Sequence, residues 1–176
     1  MVNLMCLFGY RVFMIDCDRP SKLDINDVRT ESVDRAYIIY KKEISNNTSL
    51  TFRSLPVKVS KQLDYNLKEQ TFEHIVSRNM EARLYDSNRL NKIPWISHIL
   101  LRCNTNCPNY VVINDRKKDY IIWCKNENFV IVLEQRMDKN TRRDYFYLKT
   151  AYPVIYPDKL KQLQKKEKMQ NENGRN

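Results

Sequence analysis

From residue 110 onward the apolar positions alternate with polar ones or gather into short runs: YVVI (110–113), DYIIWCK (119–125), FVIVLEQRM (129–137) and DYFYLKTAY (144–152). These runs are rich in the β-branched and aromatic residues that fit a pleated surface, and the connections NDRKK, NEN and DKNTRR carry turn chemistry. Connections this short join antiparallel neighbours, because a parallel crossover needs about a dozen residues or more. A C-terminal four-stranded antiparallel meander is therefore predicted. Upstream, SKQLDYNLKEQTFEHIVSRNMEARLY brings Leu63, Leu67, Phe72, Ile75, Val76 and Met80 round at near-helical spacing, which predicts one helix or two consecutive ones. Their apolar face supplies the second layer such a sheet needs, so the expected class is α+β with helices packed on one face of the meander.

The first third of the chain is less regular. Its best strand candidate is RAYIIYKKEI, where Tyr37, Ile38, Ile39 and Tyr40 form an apolar run. A second is TFRSLPVKVS, whose Phe52, Leu55, Val57 and Val59 partly alternate around Pro56, which argues for an edge or a bend. MVNLMCLFGYRVFMI reads as a strand or hairpin; it has no positive n-region and is broken by Arg11, unlike a signal peptide. At the other end, DKLKQLQKKEKMQNENGRN lacks a wide apolar face and is expected to be a short helix fraying into disorder. The expected organisation is an N-terminal β-containing extension (1–66), a main domain (67–157) and a basic helical or disordered tail (158–176).

Charge narrows the partner. Among 176 residues, 31 Lys and Arg stand against 21 Asp and Glu, a net charge of +10, which favours polyanions and makes nucleic acid the leading partner class. The two glycines, Gly9 and Gly174, cannot build a phosphate-cradling glycine loop, which excludes the common nucleotide-cofactor folds. No window reaches the roughly 18 apolar residues of a membrane span, so no membrane partner is expected and the predicted location is the cytoplasm. Five cysteines, an odd number in a chain too long to need disulfides as its core, point to a reducing compartment.

Two histidines leave few catalytic options. In a continuous helix His74 and Arg78 share a face; the imidazole serves as acid or base near neutral pH, and the guanidinium clamps a phosphate. The plainer alternative makes His74 a half-buried helix residue. Arg83 and Arg89 follow in the same region, and RDYFYLKTAYP adds Arg143, Tyr145, Tyr147, Lys149 and Thr150. Along a strand, Tyr145, Tyr147 and Lys149 point one way and Phe146, Leu148 and Thr150 the other. Aromatic and cationic residues interleaved on one sheet face make a platform for unpaired bases and phosphates, or merely a face that keeps tyrosine hydroxyls wet. His98, Cys103, Cys107 and Cys124 form a soft four-ligand set in composition, but the second close pair usual in structural zinc sites is missing, so reduced, packed thiols are expected and no metal.

Residues 73 to 154 resemble the phage-encoded nucleases of the barnase, EndoU, colicin and RelE superfamily, often found as small toxin domains in phages and mobile elements. EHIVSR looks like that group's His, Ile, two variable residues and Arg; IPWISHILLRCNTNCPNYVVI looks like its short helix leading into the first strand; and VIVLEQRMDKNTRRDYFYLKTAYPV looks like its final hairpin ending in Thr and an aromatic residue. Where the family motif often continues with a second His, this chain has Asn79. The resemblance implies a toxin-type endoribonuclease without metal or cofactor, in which the ribose 2'-hydroxyl attacks the adjacent phosphate. It implies His74 as acid or base, Arg78 stabilising the phosphorane, Thr150 bonding a phosphate oxygen, and Lys149 or Arg143 assisting. The implied partners are RNA, tRNA among its classes, and an immunity or antitoxin protein. The competing reading is a non-catalytic nucleic-acid-binding or inhibitor protein of a phage or mobile element, which needs the basic surface but not His74.

Overall fold

A computed structural model of the chain describes residues 22–25, 27–64, 66–78, 84–103, 109–115 and 118–173. The expected N-terminal hairpin, Met80, Arg83 and Cys107 lie outside them. The described elements are α1 (Thr30–Tyr40), continued by a π-helical turn (Lys41–Ser45), β1 (Thr51–Phe52), β2 (Leu55–Lys58), α2 (Gln70–Val76), α3 (Ser87–Leu90), α4 (Ile93–Arg102), β3 (Tyr110–Asp115), β4 (Asp119–Cys124), β5 (Phe129–Met137), β6 (Asp144–Pro153) and α5 (Pro157–Asn173).

The class is α+β, as the periodicity predicts. Strands β3 to β6 pair antiparallel with their chain neighbours, but they are part of a larger mixed sheet in the order β1-β2-β6-β5-β4-β3. The short β2 joins the free edge of β6 in parallel, through Val57 opposite Phe146 and Lys58 opposite Tyr147. The predicted four-stranded antiparallel sheet is thus corrected to a mixed one with six strands among the described residues. TFRSLPVKVS, expected as one bent strand, supplies the β1–β2 hairpin, and its turn residues Arg53 and Ser54 both take positive φ.

One face of the sheet carries the main core. Phe52, Phe146 and Tyr120 meet edge to face, with ring centroids 4.9 Å (Phe52 to Phe146) and 5.2 Å (Tyr120 to Phe146) apart, and α1, α2 and α4 add Val33, Ala36, Tyr40, Phe72, Ile75, Ile96 and Leu100. The opposite face packs Ile113, Ile121, Trp123 and Val130 against Leu163 of α5, with Leu160 beside them. Helices therefore cover both faces, not one. The terminal segment expected to fray is a helix over 157–173 held by these leucines, and Lys125 pairs with Glu167 at 2.5 Å. Among the described residues no helix is long and apolar enough to cross a membrane.

Two further expectations change. RAYIIYKKEI is helical: its buried positions, with Val33 before it and then Ala36, Tyr40 and Ile44, follow helical spacing, while Ile38 in the middle of the apolar run is 67 % exposed. The predicted helix from residue 63 onward contracts to Gln70–Val76. Before it, the Asp64 carboxylate accepts from the Asn66 and Lys68 amides and folds a turn instead. That turn puts Leu67 at φ 59, with its side chain 75 % exposed. A left-handed conformation costs an L-residue with a Cβ roughly 1–2 kcal/mol, and Asn tolerates it better than Leu. Leu67→Asn is expected to raise the unfolding free energy by about 1 kcal/mol, seen as a higher urea midpoint at unchanged m-value; an unchanged or lower midpoint contradicts the strain.

Candidate functional site

His74 belongs to α2, whose Phe72, Ile75 and Val76 are buried in the main core, leaving the imidazole half-buried at the helix margin. The helix stops at Val76 because the next residue is extended: Ser77 bridges Tyr85, the Arg78 amide donates to the Leu84 carbonyl at 3.0 Å, and the Asp86 amide to the Val76 carbonyl at 2.9 Å. The carbonyls that such an ending leaves without helical donors are met by Arg89, whose Nη1 donates to Ile75 O at 3.2 Å and Ser77 O at 2.8 Å. His74 and Arg78 therefore do not share a helical face. His74 lines one cleft and Arg78 a neighbouring groove.

The cleft of His74 has a volume of about 480 Å³. Its helical wall carries Thr71, Glu73, His74 and Ser77, and its floor is the end of the sheet, with Arg136 of β5 and Tyr147 and Lys149 of β6. Strand register explains the floor. Asp119, Glu134 and Tyr147 stand in one row across β4, β5 and β6, so their side chains share the face that Arg136 and Lys149 also occupy. Arg136 lies over the Tyr147 ring at 3.9 Å and donates to Glu134 at 2.8 Å; Lys149 reaches Asp119 at 3.2 Å. The Tyr147 hydroxyl is 3.3 Å from the Thr71 hydroxyl, which ties the floor to the helix.

Two titratable groups on the wall are displaced in opposite directions. Burial lowers the His74 pKa, and the positive charge of Arg89 lowers it further, so the neutral imidazole is the favoured form. Glu73 moves up, chiefly by burial and to a lesser degree through Asp64, while the Tyr85 hydroxyl donating to Oε1 at 3.0 Å holds it back. Titratable groups whose environments push their pKa values apart in this way are the pattern of an acid–base pair. The linked stability follows the same sign: His74 contributes stability that is present above the ordinary histidine value of about 6.5 and is lost as pH falls through its own lowered value.

No protein-family model, curated protein or solved structure matches the chain. The functional reading therefore rests on the residues of the cleft and their geometry.

Of the residues singled out in sequence, the cleft brings together His74, Tyr147 and Lys149. Thr150 is elsewhere: a bulge at Lys149 shifts the register, so Leu148 faces Leu133 but Thr150 faces Val132, beside the core under α5. Its expected place alongside Phe146 and Leu148 is corrected accordingly. Tyr145 lies beneath Lys58, whose Nζ is 4.6 Å from the ring centroid, and Arg143 is exposed in the β5–β6 connection. Among the described residues, His98, Cys103 and Cys124 do not gather with any third ligand into a metal-binding group, and burial pushes the Cys103 thiol up to about 12. Sequence pattern alone does not single out Glu73, Thr71 or Arg136. For Arg136 a signal exists, since Glu134 and Arg136, two apart at the end of a strand pattern, must share a face.

Proposed function

We propose that the protein is an endoribonuclease that cuts without a metal ion, in the manner of the barnase, EndoU, colicin and RelE superfamily that residues 73 to 154 resemble. The observation that carries this reading is the pairing, in one cleft, of a half-buried His74 with the cations and hydroxyls of Arg136, Lys149, Tyr147 and Thr71. His74 takes the proton of the ribose 2'-hydroxyl as its oxygen attacks the adjacent phosphorus. Negative charge gathers on the phosphorane oxygens, and Arg136 and Lys149 are the donors nearest to receive it. As the bond to the 5'-oxygen breaks, that oxygen needs a proton, and Glu73 is the carboxyl of the cleft best suited to give one. The product keeps a 2',3'-cyclic phosphate. Arg78, assigned to the phosphorane by the resemblance, is replaced in that role by Arg136, since Arg78 opens into the neighbouring groove.

The test is incubation of the purified protein with total RNA in EDTA. Cutting that leaves cyclic phosphate ends, and that spares an oligonucleotide carrying 2'-deoxyribose at the cut position, is the expected result. Intact RNA with the protein still bound moves the reading to a non-catalytic RNA-binding protein.

A further inference from the structure

Arg78, Arg89 and Lys159 line a groove of about 260 Å³ that also contains Tyr152 and the segment 153–156 leading into α5. Its charge differs from that of the His74 cleft. There, Arg136 and Lys149 are each ion-paired with carboxylates of the sheet, and Asp64 adds a further carboxylate. In the groove the single lining carboxylate among the described residues is Asp86, which is buried and already committed, accepting from Arg78 Nε at 2.6 Å and from the Asn88 amide at 2.9 Å. Arg78 remains 57 % exposed although it holds Asp86. The groove is therefore the more positive of the two.

It also carries exposed apolar and aromatic surface, with Ile155 56 % and Tyr156 66 % exposed. A phenol ring with so little of its surface covered, set among guanidinium and ammonium groups, suits a ligand that joins a flat π-face to a phosphate. The volume is just below the roughly 300–1,000 Å³ of pockets for drug-sized ligands, which suits one nucleotide unit. The two clefts also flank one backbone segment. Ser77 lines the first and Arg78 the second, with Arg89 bonded to the carbonyl of Ser77 between them.

We propose that this groove binds a nucleotide of single-stranded RNA adjoining the one cut at His74, with its base on Tyr156 and its phosphate on Arg78 and Lys159. That the ligand is RNA rests on the nuclease reading; the binding itself does not. An unpaired base is required because only an unstacked base can lie on the ring.

The experiment measures binding without cleavage, by fluorescence anisotropy of a 2'-O-methyl octaribonucleotide at about 50 and 200 mM salt. Tyr156→Ala is expected to weaken binding about tenfold, the scale of one lost base–aromatic stack. Lys159→Ala is expected to weaken it and to reduce the salt slope by about one phosphate contact. Both side chains are exposed, so neither change empties the core. Wild-type protein that ignores the octamer, variants that bind within about twofold of wild type, or 5'-AMP competing as tightly as the octamer would each overturn the proposal, the last by making the groove a free-nucleotide pocket. Parallel cleavage of ordinary RNA separates the two readings. Cutting with unchanged variant affinity removes the groove alone, whereas weakened variant affinity without any cutting removes the nuclease alone.

Discussion

His74→Gln is expected to lower kcat for RNA cleavage about 10³-fold with little change in KM, the loss typical of removing a positioned acid or base. Glutamine keeps a similar volume and a polar side chain on α2, but it cannot take a proton. The pH profile supplies a second readout. Because burial and Arg89 both hold the imidazole below its ordinary value, the acidic limb of kcat/KM should have its midpoint below about 6.5. Removing the nearby positive charge by Arg89→Gln should move that limb upward. Since Arg89 also bonds the end of α2, this variant is read by the position of its limb and not by its rate. A His74→Gln rate within about fivefold of wild type would end the role of His74 as base, whatever the fate of RNA binding.

The parts of this site legible in sequence are those that depend on local repetition. The strands from residue 110 to 153 can be read because each is a short alternating run bounded by turn residues, and Tyr147 and Lys149 can be assigned one face because a strand alternates strictly. Alternation fails one residue later. A single inserted position at Lys149 returns Thr150 to the face of Val132, and nothing in KTAYP marks the bulge. The same limit appears in α1, where four contiguous apolar residues imitate a strand although burial follows Val33, Ala36, Tyr40 and Ile44. Local pattern also overextends α2. The apolar spacing of Leu63 and Leu67 continues the helix backward, but the Asp64 side chain outcompetes it by satisfying two backbone amides. The company His74 keeps is not readable, because Arg136 and Glu73 come into one cleft only once β5 and α2 meet across β6.

The start of α2 is anchored by a single buried charge, and removing its partner should be costly. Lys41→Met is expected to lower stability by about 2 kcal/mol, because it strands the carboxylate of Glu69, which is 1 % exposed and directly precedes α2. Lys41 Nζ pairs with Glu69 Oε1, and the Ser45 hydroxyl donates to the same oxygen at 2.8 Å, so the π-helical turn after α1 grips the start of α2 through one charge. The buried Tyr40 phenol beside it has its pKa raised first by burial and then by that carboxylate. A buried pair that loses one member typically costs about 3–5 kcal/mol; a smaller value is expected because the Lys41 side chain remains 33 % exposed. Adding Glu69→Gln to Lys41→Met should recover all but about 1 kcal/mol, since a neutral amide can still accept from Ser45 without a counter-charge. Chemical denaturation of the two single variants and the double variant measures this coupling directly. If Lys41→Met is within about 0.5 kcal/mol of wild type, water already satisfies Glu69 and the grip is geometric only. If instead the double variant regains stability but cuts RNA more slowly, the ion pair is retained because it orients α2, and with it His74, more sharply than an apolar or amide contact can.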